Sequence, residues 1–349
     1  MASTTQISCV SLGMFIIDEI HMPHHVPLID VLGGSAAFVT LGQRLFSSMP
    51  QEIGCLIIAG NDFPLDIFDR IEGWGTTLEV KVRESDMSTR GKLVYKDNTF
   101  GPKTFEYLGE PLRATPPELI GSPLLRSKAF HFFGTPGEIL LQVPQLLRLR
   151  EREKLDSHPL IVWEPLPGEC ARHNRHLFLA ACKLVDVFSP NHIEVAAIFD
   201  DDPSQDFDAD NLEAIGQTIL DSSIGLDGNG VVIIRAGEHG ALAMSGTTRP
   251  TWLPSYYDGG SPRVVDPTGA GNTFLGGYIA GWQRSGNICE AMKYGHVAAS
   301  FALEQIGLPD PVVDKRGGRV LWHGVSVFDR LREYKKRLSS ARVISEGLL

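Results

Sequence analysis

The segment with the clearest chemical potential is Asp266-Pro-Thr-Gly-Ala-Gly-Asn272, which lies between a short β-like run and an apolar stretch that continues to about Ala280. Gly269 and Gly271 allow backbone N–H groups to converge without obstruction by side chains. A helix that begins there adds unpaired N–H donors and a partial positive charge. The segment therefore predicts an anion site suited to a transferring phosphoryl group, with an ordinary glycine-rich turn before a buried helix as the alternative.

Two other phosphate-binding patterns are excluded by the residues around the glycines. No Gly-Lys-[Ser/Thr] follows Gly271, so the segment is not a Walker loop. The glycine pair Gly73-Trp-Gly75 lacks the third glycine of a dinucleotide fingerprint and follows a predicted helix rather than a strand. Within the apolar stretch, Gly276, Gly277 and Gly281 predict close packing against a strand or another helix.

Two further pairs of residues have types and spacings suited to a phosphate site, and one carboxylate suits the hydroxyls of an acceptor. Asn191 and Glu194 stand three apart, on one face of a helix that begins there, where the carboxylate suits magnesium, through water, and the amide suits a phosphate-bound water. A helix-capping role for this pair is the alternative. Asp18 can accept two sugar-type hydroxyls, or be a turn residue. Gly237 and Gly240 allow close backbone approach to phosphates, or form a hairpin turn.

Apolar runs separated by helix-length segments must position these residues. The predicted buried strands lie at residues 7–12, 52–59, 129–133, 160–163, 185–188 and 231–234. The predicted helices lie at residues 36–46, 138–153, 175–183, 193–199 and 211–220. Strands joined by helical crossovers favour a mostly parallel sheet with helices on both faces, an α/β fold. Between residues 76 and 107 polar and apolar residues alternate, which predicts half-exposed antiparallel strands in a small appendage that includes residues 14–30.

Composition and charge restrict the class of protein. The 349 residues suffice for one large α/β domain. A formal net charge of −10 and a pI near 5.6 argue against a surface for nucleic acid or an anionic membrane. The cysteines stand singly, which suggests buried thiols in a reducing compartment, and no basic segment with a long apolar run opens the chain. We therefore expect a cytoplasmic protein without a membrane span.

The Asp266–Asn272 segment and its apolar helix resemble the C-terminal signature of the PfkB (ribokinase-like) carbohydrate kinase family. Other matches follow in the family's order along nearly the whole chain. They are Gly13 with Asp18, Gly33-Gly34-Ser-Ala-Ala, Gly60-Asn-Asp62-Phe, Ser189-Pro-Asn191-His-Ile-Glu194, Arg235-Ala-Gly237-Glu-His-Gly240 and His296-Val-Ala-Ala-Ser300. Residues 13–19, together with Gly-Ala-Gly-Asn, resemble the fungal "maintenance of killer" branch of these proteins.

The resemblance implies one ribokinase-like α/β domain over residues 1–349, with a β-rich lid at about 14–30 and 76–107 and a C-terminal helical tail at 316–349. It also implies ATP and Mg²⁺ as cofactors and a small-molecule acceptor, and it leaves open a monovalent cation and a homodimer formed through the lid. The residues assigned by resemblance are Asp18, Gly33, Gly34 and Phe38 for the acceptor; Asn191, Glu194, Arg235, Gly237, Gly240, Thr268 and His296 for the nucleotide; Glu194 for magnesium; and Gly269, Ala270, Gly271 and Asn272 for catalysis.

The chain departs from the family's pattern at three of these positions. Asn272 stands where the family has the aspartate that accepts the proton of the acceptor hydroxyl, and an amide cannot take up that proton at neutral pH. Phe38 stands where an asparagine commonly touches the acceptor, and Arg235 replaces the usual threonine beside the nucleotide. The expectation is a kinase for a sugar- or nucleoside-like hydroxyl, slowed by Asn272. The alternatives are a relocated base, a catalytically weakened nucleotide- or metabolite-binding protein with a regulatory role, and a phosphate-centred reaction that needs no base.

Two expectations concern what replaces the missing aspartate. His131 lies within a predicted core strand, and we interpret it as a satisfied core histidine rather than a replacement base. We also expect Asn272→Asp to raise turnover with the correct acceptor; equal or lower activity would mean that the base lies elsewhere or that the site is remodelled.

Overall fold

A seven-stranded sheet forms the centre of the computed structural model, which describes residues 6–98, 101, 103–200, 207–313 and 319–346. The strands are β1 (Cys9–Ser11), β2 (Ile16–His21), β3 (Leu28–Gly33), β4 (Gly54–Gly60), β5 (Thr77–Arg83), β6 (Arg90–Tyr95), β7 (Lys103–Tyr107), β8 (Ala129–Gly134), β9 (Leu160–Pro165), β10 (Val187–Phe188), β11 (Val231–Arg235), β12 (Ala241–Ser245), β13 (Thr248–Leu253), β14 (Pro311–Val313) and β15 (Val320–Trp322). The helices are α1 (Ser35–Phe46), α2 (Leu65–Glu72), α3 (Pro136–Arg152), α4 (Arg175–Cys182), α5 (His192–Phe199), α6 (Ala209–Asp221), α7 (Ala270–Ser285), α8 (Ile288–Leu303) and α9 (Val327–Glu346).

The central sheet has the order β1-β8-β9-β10-β11-β12-β13. β1, β8, β9, β10 and β11 are parallel; β12 pairs antiparallel with β11, and β13 pairs antiparallel with β12, so only β12 runs against the other strands of this sheet. The expected mostly parallel α/β sheet is therefore confirmed. Because parallel strands place their carboxyl ends along one edge, the loops that follow Ser11, Phe188 and Arg235 meet there.

Both faces of the central sheet are covered by helices. Along β9, Trp163 packs into the apolar cluster with α3, α4, α5 and α6, whereas Val162 packs into the cluster with α1, α7 and α8. Burial on both faces explains why these strands are nearly continuous apolar runs in the sequence. In the part of the chain that the structure describes, no helix is long and apolar enough to cross a membrane.

A separate four-stranded sheet has the order β3-β2-β6-β7, and Tyr95 of β6 bonds Asp266 in the segment before α7. It combines the two segments that we expected to form the lid, and in it β2 pairs antiparallel with β3 but parallel with β6. β5 was expected to be an antiparallel strand of this appendage, but it pairs parallel with β4 outside the four-stranded sheet. The reason is that α2 supplies a helix-length crossover, which returns the chain alongside β4 in the same direction. Residues 99, 100 and 102 of the expected lid lie outside the described residues.

The C-terminal segment packs on the domain through β15 and α9. Trp322, Leu331 and Tyr334 are buried in one apolar cluster with α1 and α8. Residues 316–318 and 347–349 of the expected tail lie outside the described residues.

Glycine contacts set the position of α7, the helix that begins at the predicted anion loop. A Cβ atom added at Gly276 would overlap the carbonyl oxygen of Val39 and approach Gly42 of α1, and one added at Gly277 would overlap α8 at Ala298. A Cβ atom at Gly281 would also approach α8 closely, at Ala291. The close packing that these glycines predicted is thus confirmed, with α7 held between two helices at backbone contact distance.

We expect Gly276→Ala to lower the free energy of unfolding by about 1–3 kcal/mol, because the methyl group has no space between α7 and α1. Urea denaturation measures this change. Gly168→Ala is the matched control, since a Cβ atom at Gly168 meets nothing within 4 Å and its effect should stay within about 0.5 kcal/mol. Equal stability of the two variants would contradict the close contact.

Candidate functional site

The anion loop is formed by backbone at the start of α7. Gly269 is the N-cap residue with φ of 75°, a left-handed conformation that favours glycine, and its carbonyl accepts from Thr273 N at 2.9 Å. A Cβ atom at Gly269 would overlap the ring of Phe38, and one at Gly271 would overlap Arg235 Nη1. Phe38 is buried, so the structure places it as an apolar wall behind the loop. The loop therefore offers backbone donors beside one buried guanidinium.

Asp266 ties the loop to the four-stranded sheet. Its Oδ1 accepts from Thr268 N at 2.9 Å, from Thr268 Oγ1 at 2.6 Å and from the hydroxyl of Tyr95 at 3.0 Å. Lys103 Nζ contacts Thr268 Oγ1 and lies 3.8 Å from Asp266 Oδ1. Since Tyr95 and Lys103 belong to β6 and β7, the anion loop and this sheet share one buried polar cluster.

Asp18 lies beside this cluster as a second buried carboxylate. Cβ atoms added at Gly33 or Gly91 would overlap its two oxygens, so both glycines are required by its position. Burial raises the pKa of Asp18 to about 7, with the positive charge of Lys103 lowering it and the negative charge of Asp266 raising it. Its Oδ1 has no hydrogen-bond partner among the described residues. Such an oxygen suits a hydroxyl donor.

The double glycine shapes the turn between β3 and α1 next to Asp18. Gly34 has φ of 93°, and a Cβ atom there would overlap the carbonyl oxygen of Met14. Gly33, Gly34 and Asp18 are therefore brought together, as their assignment to one acceptor site requires. Phe38, one helical turn further on, faces Gly269 instead.

Asn191 and Glu194 form a reciprocal cap at the start of α5. Asn191 Oδ1 accepts from Glu194 N at 2.8 Å, and Glu194 Oε2 accepts from Asn191 N at 2.7 Å. The capping role, the alternative for this pair, is thus present in the structure. Burial raises the pKa of Glu194 to about 7, while the nearby charge of Arg235, at 3.8 Å, lowers it.

Glu164, a residue that sequence reasoning missed, lies at the centre of the carboxyl edge. Its Oε1 pairs with Arg235 Nη1 at 2.8 Å, and its Oε2 accepts from Asn272 Nδ2 at 2.5 Å. Its other neighbour is His131, whose Nε2 lies 3.3 Å from Oε2 and whose Nδ1 lies 2.8 Å from Ser11 Oγ. Although burial opposes ionisation, Arg235, His131 and Asn272 together hold the pKa of Glu164 below its usual value. The interpretation of His131 as a satisfied core histidine is confirmed.

A cavity of about 760 Å³ opens beside the loop. The site residues that line it are Asn191, Arg235, Gly237, Gly240, Ala270, Gly271 and His296. Gly237 and Gly240 both have positive φ. Burial lowers the pKa of His296 to about 3, so its imidazole is neutral, and its Nε2 has no hydrogen-bond partner among the described residues. The cavity thus combines apolar walls with a few polar groups, as small-molecule sites do.

The site residues that sequence reasoning did not identify differ in how clear a signal the sequence gives for them. Glu164 ends the otherwise apolar run Leu-Ile-Val-Trp, and an acidic residue at the carboxyl end of a predicted parallel strand is a recognisable signal. Lys103 and Tyr95 lie in alternating strands whose sequence shows nothing unusual. Their place beside Asp266 depends on how the four-stranded sheet packs on the domain.

Comparisons with known proteins agree with this geometry. The model of the family described as "pfkB family carbohydrate kinase" matches residues 154–315. An uncharacterized protein of Schizosaccharomyces pombe is 35% identical over 96% of this chain and 94% of its own length. Protein MAK32 of Saccharomyces cerevisiae is 26% identical over 95% of this chain and 93% of its own length.

Among solved structures, a putative ribokinase II from E. coli in complex with ATP and Mg²⁺ superposes with a TM-score of 0.66. It is 17% identical and the match covers 95% of this chain and 99% of that chain, which shows a shared ribokinase-like fold. Three observations agree: the glycine loop at the start of α7, the parallel sheet, and the similarity to the S. pombe protein along nearly the whole chain. This chain therefore belongs to the PfkB family of carbohydrate kinases, as the resemblance to its fungal branch predicted.

Proposed function

We propose that this chain is an ATP- and magnesium-dependent kinase that phosphorylates a hydroxyl of a sugar- or nucleoside-like small molecule, slowly because Asn272 replaces an aspartate. The observation that carries this proposal is that Ala270 and Gly271 of the loop line the same cavity as Arg235, Gly237 and His296. A nucleotide in that cavity would bring its phosphates to the backbone donors of the loop and to the guanidinium of Arg235.

The acceptor would lie on the other side of the loop, near Asp18. The unpartnered Oδ1 of Asp18 and the backbone at Gly33 and Gly34 favour a compound with several hydroxyls. The four-stranded sheet, with Tyr95 and Lys103 above Asp266, would act as a lid that excludes water during transfer. A homodimer formed through this lid and a cytoplasmic location remain part of the proposal.

The residues near the cap of α5 fit magnesium. Glu194 does not itself line the cavity, but it contacts Asn191 and Arg235, which do. Its Oε2 accepts from Asn191 N, which favours binding of magnesium through water. Magnesium would neutralise charge on the phosphates when it is bound. The neighbouring Arg235 adds a fixed positive charge to the same region.

A second candidate function is a nucleotide- or metabolite-binding protein with weakened catalysis and a regulatory role. It is favoured by two observations on the acceptor side of the loop. Asn272 uses its amide N–H to bond Glu164, and Phe38 fills the space beside Gly269 with an apolar ring. Nucleotide binding is common to both functions, whereas product formation separates them.

We expect magnesium–ATP to bind with a Kd in the micromolar to millimolar range, and Ala299→Phe to weaken this binding at least about tenfold. Ala299 lines the cavity, so a phenyl ring there would occupy space that the nucleotide needs. Isothermal titration calorimetry measures both values. Leu141→Phe, on an exposed side chain of α3, is the control and should bind like the unmodified chain. Absence of heat at millimolar nucleotide would refute both candidate functions.

Incubation with magnesium–ATP and a panel of sugars, polyols and nucleosides should give a product heavier by one phosphoryl group. Mass spectrometry detects that product whichever member of the panel is the acceptor. A chain that binds nucleotide but phosphorylates no member of the panel would favour the regulatory function.

Asp18→Asn should raise the melting temperature at pH 8 relative to the unmodified chain and leave it little changed at pH 5. Because the folded pKa of Asp18 lies above its unfolded value, the folded state holds an extra proton between about pH 4 and 7, and stability falls as pH rises through that window. Thermal unfolding followed at pH 5, 6, 7 and 8 tests this difference. Asp66→Asn, at an exposed carboxylate of α2, is the control. A parallel pH dependence in all three proteins would contradict the buried charge of Asp18.

A further inference from the structure

Glu164 is a buried carboxylate for which the PfkB signature motifs of this chain provide no role. It lies near the end of β9, at the carboxyl edge where the anion loop begins, and is 5% exposed. Its Oε2 is 2.5 Å from Nδ2 of Asn272, the residue that stands in place of the family's base. The carboxylate of Glu164 is therefore hydrogen-bonded to the residue at position 272, where the family's carboxylate is replaced by an amide.

The orientation of the Asn272 amide follows from this contact. An ionised carboxylate has acceptor atoms only, so Asn272 must present its Nδ2 to Glu164 and its Oδ1 elsewhere. Asn272 is only half-buried, whereas Glu164 is almost fully buried, so the amide covers the carboxylate. A rotation of the Asn272 side chain would uncover Oε2 next to the Gly269–Gly271 loop.

The groups around Glu164 keep it ionised and in place. Arg235 from β11 pairs with Oε1, and His131 from β8 lies against Oε2. Because Glu164 only accepts, a neutral His131 carries its proton on Nε2 and accepts at Nδ1 from the hydroxyl of Ser11. Glu194 of α5 is the nearby group of like charge, and Arg235 lies between the two carboxylates.

We propose that Glu164 is the relocated proton acceptor of this site and that Glu164 and Asn272 act as a pair; this rests on the proposed kinase function. The acceptor hydroxyl replaces the Asn272 amide at Oε2. Its oxygen forms a bond to the γ-phosphorus of ATP while the bond from that phosphorus to the β,γ-bridging oxygen breaks, and ADP leaves with the electron pair. The hydroxyl proton passes to Oε2 of Glu164 and then to solvent.

This arrangement changes the expected result of restoring the family's aspartate. In Asn272→Asp, two carboxylates would face each other across 2.5 Å and would share one proton, because both cannot ionise at that separation. The single variant should therefore lose activity, in contrast to the gain expected from the sequence alone. In the double variant, Glu164→Gln with Asn272→Asp, the amide at position 164 donates to the carboxylate at position 272. The hydrogen bond is kept, but its donor and acceptor are exchanged.

The experiment compares the unmodified chain, Asn272→Asp, Glu164→Gln and the double variant, with Glu169→Gln, an exposed glutamate in the loop after β9, as control. ADP release from magnesium–ATP is measured with and without the acceptor panel from pH 5 to 9, and melting temperatures are measured over the same range. Glu164→Gln should lower the rate about 10²–10⁴-fold at every pH in this range, because the pKa of Glu164 is held below its usual value and the carboxylate is ionised throughout. The double variant should recover at least about tenfold over Glu164→Gln.

The melting temperatures test the pair independently of catalysis. Asn272→Asp should lose stability relative to the unmodified chain as pH rises from 5 to 8, because the shared proton is lost in that window, and the double variant should not. A normal rate in Glu164→Gln, or a faster Asn272→Asp without the added pH dependence, would overturn the proposal.

Calorimetry on the same preparations separates this inference from the proposed function. An unmodified chain that binds no magnesium–ATP would remove the kinase function and, with it, the role of Glu164. Binding without any phosphoryl transfer would also remove the kinase function, whereas transfer that continues at a normal rate in Glu164→Gln would remove only the role of Glu164.

Discussion

The ion pair between Arg235 and Glu164 is the interaction on which the arrangement of the site depends. Both side chains are largely buried, and a buried charge is strongly destabilising unless an opposite charge and hydrogen bonds compensate it. The pair joins the ends of β11 and β9, and each partner also contacts α7, Arg235 at Gly271 and Glu164 at Asn272. The start of α7 is therefore held against the sheet edge by charge as well as by the glycine contacts along its length.

The same pair explains why the anion loop needs so little side-chain chemistry. With Arg235 beside Gly271, the loop has a positive charge in addition to its backbone donors, and any residue larger than glycine at 271 would displace it. The carboxylate of Glu164 balances that charge. Under the proposed kinase function, a phosphate that attracts Arg235 would weaken this balance and leave Glu164 a stronger base, so one guanidinium would link nucleotide binding to proton acceptance.

A second cluster, Asp18, Asp266 and Lys103, links the four-stranded sheet to the loop. Lys103 lowers the pKa of Asp18, whereas burial and the charge of Asp266 raise it. One ammonium group thus lies near two carboxylates, and its strand β7 belongs to the four-stranded sheet. The position of this sheet and the charge state of Asp18 are consequently coupled.

Much of this protein was determined by local sequence. The apolar runs that became β8, β9 and β11, the glycines of α7 and the Asp266–Asn272 loop follow from periodicity and from the freedom of glycine, which neighbouring residues decide. Tertiary structure alone decided that β5 pairs with β4, that Phe38 faces Gly269, and that Glu164 meets Asn272, 108 positions away in the chain. Such contacts arise where separate elements meet at a sheet edge, and no spacing within one segment encodes them. For that reason the sequence predicted the glycine loop at the start of α7, while the fold decided that the carboxylate of Glu164 lies beside it.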